Sequence, residues 1–334
     1  MQEKLDIKIL RIDSPILFQK AWQIESFLLK TLEYGDYSFR SALTGKLNSR
    51  LRCTFFTAWY QDKILATAGC LYSMDNPAVA ILGPVCTDSE HRKKGIASRV
   101  CNMLLDYLKA QKTQAVYLGV RGNVPASNLY KKLGFTQHSG IIMRKLFVSE
   151  SEFGRRYLPG QQTSVRGIDW QDFAEVSVFF CEPAAMYSFD FCRHIFSSKY
   201  VEPQKFMPVF SDIMSSLEKN SGHGRVLVTK EYSSIVGTAF ISGQPSKIQN
   251  HIAFLDFFVI DAFLDRGEEL ISETLKQSGL RGNRMILCYC PGGDIHKKRI
   301  LLSLGAEQYA VLPGFIRISD KPEETIIYKF TRTL

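Results

Sequence analysis

Apolar and polar positions in the first 147 residues form a succession of short periodic segments. Alternation with period two predicts strands, and recurrence every three to four residues predicts helices. The turn-forming run Gln61-Asp62-Lys63 separates two aromatic and β-branched segments, which predicts a hairpin. The predicted elements are, in order, a strand at Leu5–Ile12, helices at 16–32 and 38–47, hairpin strands at 53–60 and 64–72, a strand at 78–87, a helix at 96–108, a strand at 115–120, a helix at 126–133 and one or two strands within 135–147.

The order of these elements predicts the fold class. The segment 78–87 is apolar almost throughout, which is typical of a central strand. The strands before it read as antiparallel neighbours, whereas the later ones are separated by helices. We therefore expect an α/β domain in which helices flank a mixed, mostly antiparallel sheet.

The second half of the chain repeats this order in weakened form. A polar stretch at 148–162, which contains Pro159-Gly160, predicts a linker between domains at 1–147 and 163–334. Beyond it the corresponding elements are a strand at 165–169, a hairpin within 226–242, a strand at 252–260, a helix at 268–280, a strand at 285–290 and a helix at 295–304. The fold is therefore predicted to be duplicated.

Length and composition agree with two globular domains. The chain has 334 residues, 45% of them hydrophobic, and no apolar run long enough to span a membrane. The first residues contain no basic segment leading into an apolar stretch, so we expect no secretory signal and a cytoplasmic location. The net charge of +9 attracts polyanions in general, and by itself does not distinguish nucleic acid, anionic lipid and a phosphorylated cofactor.

The eight cysteines do not form a metal-ligand pattern. Six of the seven intervals between them are irregular or long, and the close pair Cys288-Tyr289-Cys290 has no second pair or histidine cluster to complete a zinc site. Cysteines scattered singly in apolar segments are typical of buried free thiols. We expect no bound metal.

One loop carries the pattern of an anion site. A strand ends near Thr87, three basic residues follow at Arg92-Lys93-Lys94, and Gly95 precedes a predicted helix. The N-terminus of a helix presents N–H groups without acceptors and a partial positive charge. A glycine lets the backbone come close to a bound anion. The loop is thus suited to a pyrophosphate.

A second motif lies about thirty residues later, and the two together resemble the GNAT superfamily of N-acetyltransferases. The segment 92–97 matches Arg-x-x-Gly-x-Ala. The segment 123–135 matches Asn-x-x-Ala-x-x-Leu-Tyr-x-x-x-Gly-Phe. Both motifs stand in the order and on the elements that the superfamily has, and the resemblance covers roughly residues 5–147.

The resemblance implies that this half binds acetyl-CoA or another acyl-CoA and transfers the acyl group to an amine by direct attack. Tyr130 would protonate the departing thiolate, and Asn123 would contact the pantetheine region. An amide of the strand that ends at Thr87 would polarise the thioester carbonyl. The residues that the resemblance assigns to the cofactor are Val85, Cys86, Thr87, Arg92, Lys93, Lys94, Gly95, Ile96, Ala97 and Asn123.

Several roles remain open. Cys86 stands beside the expected thioester, but no histidine is placed to activate it. We therefore interpret it as a core residue, with a nucleophile as the alternative. The superfamily often has a glutamate on the strand before the loop, and segment 78–85 has no carboxylate. Glu33, Asp36, Asp75 or water could serve as general base.

The second half departs from the motifs. Its loop is shorter, Glu268 and Glu269 stand at the start of the helix, and Leu301 occupies the position of Tyr130. Carboxylates at a helix N-terminus repel a pyrophosphate. We expect a degenerate copy that covers the acceptor cleft, binds part of the acceptor or mediates a homodimer.

Three classes of function can be weighed. An N-acyltransferase acting on a small-molecule or peptide amine uses both motifs. A non-catalytic acyl-CoA sensor would need the loop but not Tyr130. A nucleic-acid binder is suggested by charge alone and lacks a recognisable binding pattern, so neither nucleic acid nor membrane is an expected partner.

Overall fold

The computed structural model describes most of the chain as two compact units. The first comprises Met1–Phe153 together with Asp169–Glu175, and the second comprises Gly154–Ile168 and Val176–Leu334. The described residues are 6–32, 39–47, 49–120, 125–180, 189–190, 195–196, 208–219, 222–243, 248–277, 285–318 and 320–330.

The elements of the first half follow the predicted order. Helix α2 is shorter than the predicted 38–47, and the other bounds that fall on described residues agree to within a few positions. The elements are β1 (Lys8–Asp13), α1 (Phe18–Thr31), α2 (Phe39–Leu43), β2 (Leu51–Tyr60), β3 (Lys63–Ser73), β4 (Val79–Thr87), α3 (Ile96–Ala110), β5 (Ala115–Gly119), α4 (Pro125–Lys132), β6 (Thr136–Ser139) and β7 (Ile142–Leu146).

These strands form one seven-stranded sheet in the order β1-β2-β3-β4-β5-β7-β6. All neighbours are antiparallel except β4 and β5, which are parallel. That pairing joins Val79–Ile81 to Ala115–Tyr117 and does not continue beyond Ile81 in the described residues. The central parallel pair therefore separates towards the end of β4, where the candidate loop begins.

Helix α3 anchors this sheet from one face. Ile96, Val100, Leu104 and Leu108 recur at helical spacing and are buried in one apolar cluster with residues of β2 to β5. Burial of a leucine or isoleucine side chain contributes about 1.5–3 kcal/mol to folding. The start of α3 is thus held in place by Ile96.

Strand β4 carries a bulge just before its last residues. Ala68 pairs with Val85 and Cys70 with Leu82, so Gly83 and Pro84 together oppose Gly69. Gly83 has a φ of 148°, which favours glycine, and Pro84 has no N–H to donate to a neighbouring strand. Extra residues of this kind bend a strand and increase its twist. The bulge therefore turns the end of β4 away from regular pairing.

The rest of the chain begins with a short helix inside the segment predicted as the linker. The elements are α5 (Glu150–Gly154), β8 (Thr163–Gly167), α6 (Phe173–Phe179), β9 (Phe189–Asp190), β10 (Ile195–Phe196), α7 (Pro208–Lys219), β11 (His223–Thr229), β12 (Ile235–Gly243), β13 (Ile252–Val259), α8 (Gly267–Gln277), β14 (Met285–Pro291), α9 (Ile295–Ser303), β15 (Glu307–Ile318) and β16 (Lys321–Phe330).

The second large sheet repeats the first strand for strand. Its order is β8-β11-β12-β13-β14-β16-β15, and β13 and β14 are its parallel pair. The predicted duplication of an α/β fold with mixed, mostly antiparallel sheets is confirmed. Strands β9 and β10 form an additional two-stranded sheet, and β15 is a long strand where its counterpart β6 has four residues.

Among the described residues no helix is long and apolar enough to cross a membrane. The described cysteines are all buried and free, namely Cys53, Cys70, Cys86, Cys101, Cys288 and Cys290.

Gly69 should be the position in β3 where a methyl group is not tolerated. A Cβ there would lie 2.7 Å from Phe55 Cζ and 3.0 Å from the Gly83 carbonyl oxygen. Gly69→Ala should lower the free energy of unfolding of the first unit by about 1–3 kcal/mol, because overpacking shifts the bulge. Urea denaturation measures the change.

The control is Gly154→Ala at the start of the second unit, whose Cβ would meet nothing within 4 Å. It should leave the free energy of unfolding unchanged or raise it by up to about 1 kcal/mol. Equal losses in the two variants would contradict the packing argument.

Candidate active site

The end of β4 presents backbone groups on the side from which β5 has separated. The N–H of Asp88 donates to the Leu65 carbonyl of β3 at 2.8 Å. Because N–H directions alternate along a strand, the N–H and C=O groups of Val85 and Thr87 point to the opposite side. Both residues are half-buried, and no strand pairs with them there within the described residues. This edge can pair with an extended ligand.

The loop after β4 is shaped by its own hydrogen bonds. The Asp88 carboxylate accepts from the Glu90 N–H at 3.1 Å and lies 3.2 Å from His91 Nδ1. The hydrogen bond with His91 is the main reason that the pKa of Asp88 is lowered. Arg92 Nε donates to the Thr87 carbonyl at 3.3 Å. These bonds fold the loop back against the end of β4.

Ligand atoms of Asp88, Glu90 and His91 lie within 4.8 Å of one another, the spacing of a possible metal site. Asp88 is already engaged with both neighbours within the loop. Exposed acidic groups are common without an ion, and no further ligand joins these three within the part of the chain that the structure describes. Their contacts are accounted for by the turn.

The N-terminus of α3 lies open at the end of the loop. Gly95 is its N-cap with φ of 75°, and no side chain caps the helix. The first intrahelical bond runs from the Arg99 N–H to the Gly95 carbonyl, so Ile96, Ala97 and Ser98 have no intrahelical acceptor for their N–H groups. A Cβ at Gly95 would meet nothing within 4 Å. Donors, helix dipole and open space together suit an anion.

The basic side chains of the loop surround this opening. Arg92, Lys93 and Lys94 are exposed, and Lys93 has a φ of 60°. The Arg92 N–H is used within the loop, where it donates to the Ser89 carbonyl at 3.5 Å. The N–H groups at the start of α3 thus have the positive charge of the loop beside them.

Tyr130 lies on α4 in the apolar cluster that holds α3. Its side chain is 8% exposed, and its ring contacts Phe135 edge-on at 5.9 Å between centroids. Val85 and Ala126 pack against the same cluster, so Tyr130 and the end of β4 share one face of the sheet. Asn123 lies outside the described residues.

Cys86 lies on the other face of the sheet. Neighbours along a strand alternate, so Cys86 opposes the side on which Val85 and Tyr130 pack. Burial raises the pKa of its thiol to about 12, although hydrogen bonding to Thr67 and the charge of Arg92 act in the opposite direction. A protonated, buried thiol is a poor nucleophile, which favours the core role over the covalent one.

The carboxylates considered as general base are spread apart. Asp75 is exposed and forms an ion pair with Arg50 at 3.2 Å, whereas Glu33 and Asp36 lie outside the described residues. Sequence reasoning missed Glu25, a nearly buried carboxylate paired with Arg40 at 3.1 Å. It lies on α1, which contacts β4.

The signal for Glu25 was present in the sequence. Glu25 falls on the same helical stripe as Ala21, Ile24 and Leu28, which are all buried. A charged residue within an apolar stripe is seldom buried unless it is paired.

The second copy differs at the corresponding loop. Glu268 and Glu269 lie in the first turn of α8, and Glu269 pairs with Arg266. Leu301 is buried on α9, and its carbonyl accepts from the Ala306 N–H as that of Tyr130 accepts from Phe135. The equivalence of Leu301 with Tyr130 is thus structural as well as sequential.

Residues 17–135 match the model of the acetyltransferase (GNAT) family. The matched segment runs from the residue before α1 to Phe135, and so contains β4, the loop, α3 and Tyr130. The first half of the chain thus carries a GNAT acetyltransferase domain. No curated protein matches the chain.

Three solved structures are similar to about half of the chain. An N-acetyltransferase from Staphylococcus aureus Mu50 is 11% identical, with a TM-score of 0.42 and coverage of 51% of this chain and 98% of that chain. The ribosomal-protein-S5-alanine acetyltransferase from Vibrio fischeri is 15% identical, with a TM-score of 0.41 and coverage of 51% and 92%. A phosphinothricin acetyltransferase from Sinorhizobium meliloti, in complex with acetyl-CoA, is 12% identical, with a TM-score of 0.40 and coverage of 51% and 88%.

The thiol of Cys86 should resist alkylation in the folded protein. With its pKa raised to about 12, the thiolate that reacts is scarce at pH 8. Iodoacetamide followed by peptide mass spectrometry should leave Cys86 unmodified in buffer and label it fully in 6 M guanidinium. Rapid labelling of Cys86 in buffer would restore the nucleophile hypothesis.

Proposed function

We propose that the GNAT domain matched over residues 17–135 is a working N-acyltransferase that moves an acetyl or other short acyl group from acyl-CoA to a primary amine. The observation that carries this is the open N-terminus of α3 beside the unpaired edge of β4. One feature suits a pyrophosphate and the other an extended amide chain, and both belong to acyl-CoA.

The backbone of the loop supplies the phosphate contacts. N–H groups from Lys93 to Ala97 would bind the pyrophosphate, with Gly95 allowing close approach. The exposed side chains of Arg92, Lys93 and Lys94 add positive potential and raise the rate of encounter. Ile96 contributes through its buried side chain, which fixes the direction of the helix.

The edge of β4 supplies the contacts to the acyl arm. Val85 and Thr87 would pair with the pantetheine amides, and an N–H of this edge would stabilise the oxyanion that forms as the amine attacks. Cys86 lies between them and contributes its backbone, since its side chain points to the other face. Asn123 would contact the pantetheine region.

Tyr130 is proposed as the general acid. A phenol has an ordinary pKa near 10 and can protonate a thiolate leaving group. Its place on the same face as Val85 supports this role. For deprotonation of the amine we propose water or Glu25; Glu25 and Asp75 both form ion pairs with an arginine, and Glu25 is preferred because its helix α1 contacts β4.

A second function, acyl-CoA sensing without turnover, is supported by one observation: β4 has no carboxylate. The same cofactor site would serve both functions.

We propose a cytoplasmic protein whose acceptor is a small-molecule or peptide amine, with a homodimer as its assembly.

Acetyl-CoA should bind at one site per chain, and a negative charge at Gly95 should weaken that binding. The variant Gly95→Glu places a carboxylate at the helix N-terminus, whereas Gly95→Gln has the same size and backbone strain without the charge. Gly95→Glu should bind about tenfold more weakly than Gly95→Gln, because the sign of the helix-terminus interaction is reversed. Isothermal titration calorimetry measures both.

Glu268→Ala serves as the control in the second copy and should bind as the unmodified protein does. Absence of binding to the unmodified protein would refute the proposed site. Two sites per chain would show that the second copy also binds.

Tyr130→Phe should separate transfer from sensing. Loss of a general acid lowers kcat by about 10²–10⁴-fold, while the binding of acetyl-CoA is retained. The measurement is CoA release with a panel of primary amines, alongside calorimetry. Unchanged kcat would leave Tyr130 as a core residue, and binding without turnover in the unmodified protein would favour the sensor.

A further inference from the structure

The second copy has the same separation of its central strands as the first. Strand β13 pairs with β14 from Ile252–Phe254 to Met285–Leu287, and the pairing does not continue in the described residues. The corresponding pairing of β4 with β5 joins Val79–Ile81 to Ala115–Tyr117. The two copies thus form a cleft at the same place in the sheet.

A buried ion pair lies beside the point where β13 separates from β14, because Asp256 stands two residues after the last paired residue, Phe254. Lys297 is fully buried and donates from Nζ to the Asp256 carboxylate, which is itself 3% exposed. Nζ also lies 5.0 Å from the ring centroid of Phe257. Lys297 belongs to the basic run 296–299, which the sequence presents as one of the densest clusters of positive charge. One member of that run is therefore a core residue.

The first turn of α9 directs Lys297 inwards. Asp294 is the N-cap of this helix, and its Oδ1 accepts from the Lys297 N–H at 2.9 Å. Lys297, Ile300 and Leu301 are the buried residues of the helix. Because they recur at helical spacing, the lysine continues the stripe that packs against the sheet.

The two copies can be aligned residue by residue at this point. The register of the parallel strands places Asp256 where β4 has Gly83. The matching hydrogen bonds at the ends of α4 and α9 place Lys297 where α4 has Ala126. Two small residues in the first copy thus correspond to an acid and a base in the second.

The pairing next to the cleft differs in the same way. In the first copy the bulge at Gly83 turns the end of β4 away from regular pairing, whereas Gly237–Gly243 pairs with Ala253–Val259 without a break. The second copy therefore has a regularly paired strand that carries the ion pair, whereas the first has a bulged strand with small residues at the corresponding positions.

We propose that the Lys297–Asp256 ion pair is a built-in occupant of the second copy's cleft, which locks β13 to α9 and excludes an acyl chain from this copy. The lock rests on the equivalence of the two sheets. It holds whether or not the first copy is an acyltransferase.

The electrostatics agree with a permanently charged pair. Burial is the largest single influence and would lower the pKa of Lys297, but the charge and hydrogen bond of Asp256, together with Cys288 and Cys290, outweigh it and the pKa is raised. Two buried charges of opposite sign need each other, because either one alone would be left without compensation. Coupling between the two residues is thus the property to measure.

A double-mutant cycle tests the lock in the full-length chain. Lys297→Met and Asp256→Ala should each lower the melting temperature of the second copy by about 10 °C, since each removes the oppositely charged partner of a buried group. The double variant should be more stable than either single variant. Arg299→Met, at an exposed position of the same helix, is the control and should leave the melting temperature unchanged.

Hydrogen exchange followed by mass spectrometry shows which elements are destabilised in the variants. In the single variants the amides of β13 and α9 should lose protection from exchange, whereas the amides of β4 should keep theirs. In the double variant the protection of β13 and α9 should be restored. If the double variant loses the sum of the two single losses, or if the single variants behave as Arg299→Met does, the lock is refuted. Single variants that do not fold, together with a folded double variant, support it.

Calorimetry with acetyl-CoA on the same variants distinguishes a failure of the proposed ion-pair lock from a failure of the proposed function. The single variants should bind acetyl-CoA at the first copy as the unmodified protein does. Absence of binding to the unmodified protein would refute the proposed function. It would not affect the coupling measured between Lys297 and Asp256.

Discussion

The separation of β4 from β5 after Ile81 is the constraint on which the candidate site depends. A parallel pair that ended in regular register would satisfy the backbone groups of Val85 and Thr87 with another strand. The bulge at Gly83 and Pro84 and the divergence of β5 leave that edge to a ligand. The same divergence sets the open N-terminus of α3 beside it, so that phosphate and amide contacts are offered together.

Duplication of the sheet places different side chains around the same separation of strands. The second copy keeps the strand order and the short parallel pairing, yet buries Lys297 and Asp256 in the cleft and places Glu268 at the start of α8. A buried ion pair adds little net stability, because desolvation offsets much of the attraction, but removal of one partner is costly. One sheet architecture thus accommodates an open edge and a closed one.

Chemical character in this protein follows from position rather than from residue type. Cys86 stands in the strand proposed to bind the cofactor, but its thiol faces the opposite side of the sheet and burial raises its pKa to about 12. Lys297 stands in a basic run, but its ammonium is in the core. Glu25 stands on the apolar stripe of α1 and is paired with Arg40. The environment of each side chain is determined by the face of the helix or strand on which it lies.

The sequence by itself determined the order of elements, the duplication and the loop at 92–97, because hydrophobic periodicity, glycine positions and motif spacing are local properties that survive without the fold. It did not show the bulge opposite Gly69, the face of Cys86, the burial of Glu25 or the pairing of Lys297 with Asp256. Those depend on strand register and on contacts between residues far apart in the chain, such as 256 and 297. Register and burial arise when the sheet closes, and only the tertiary structure decides them.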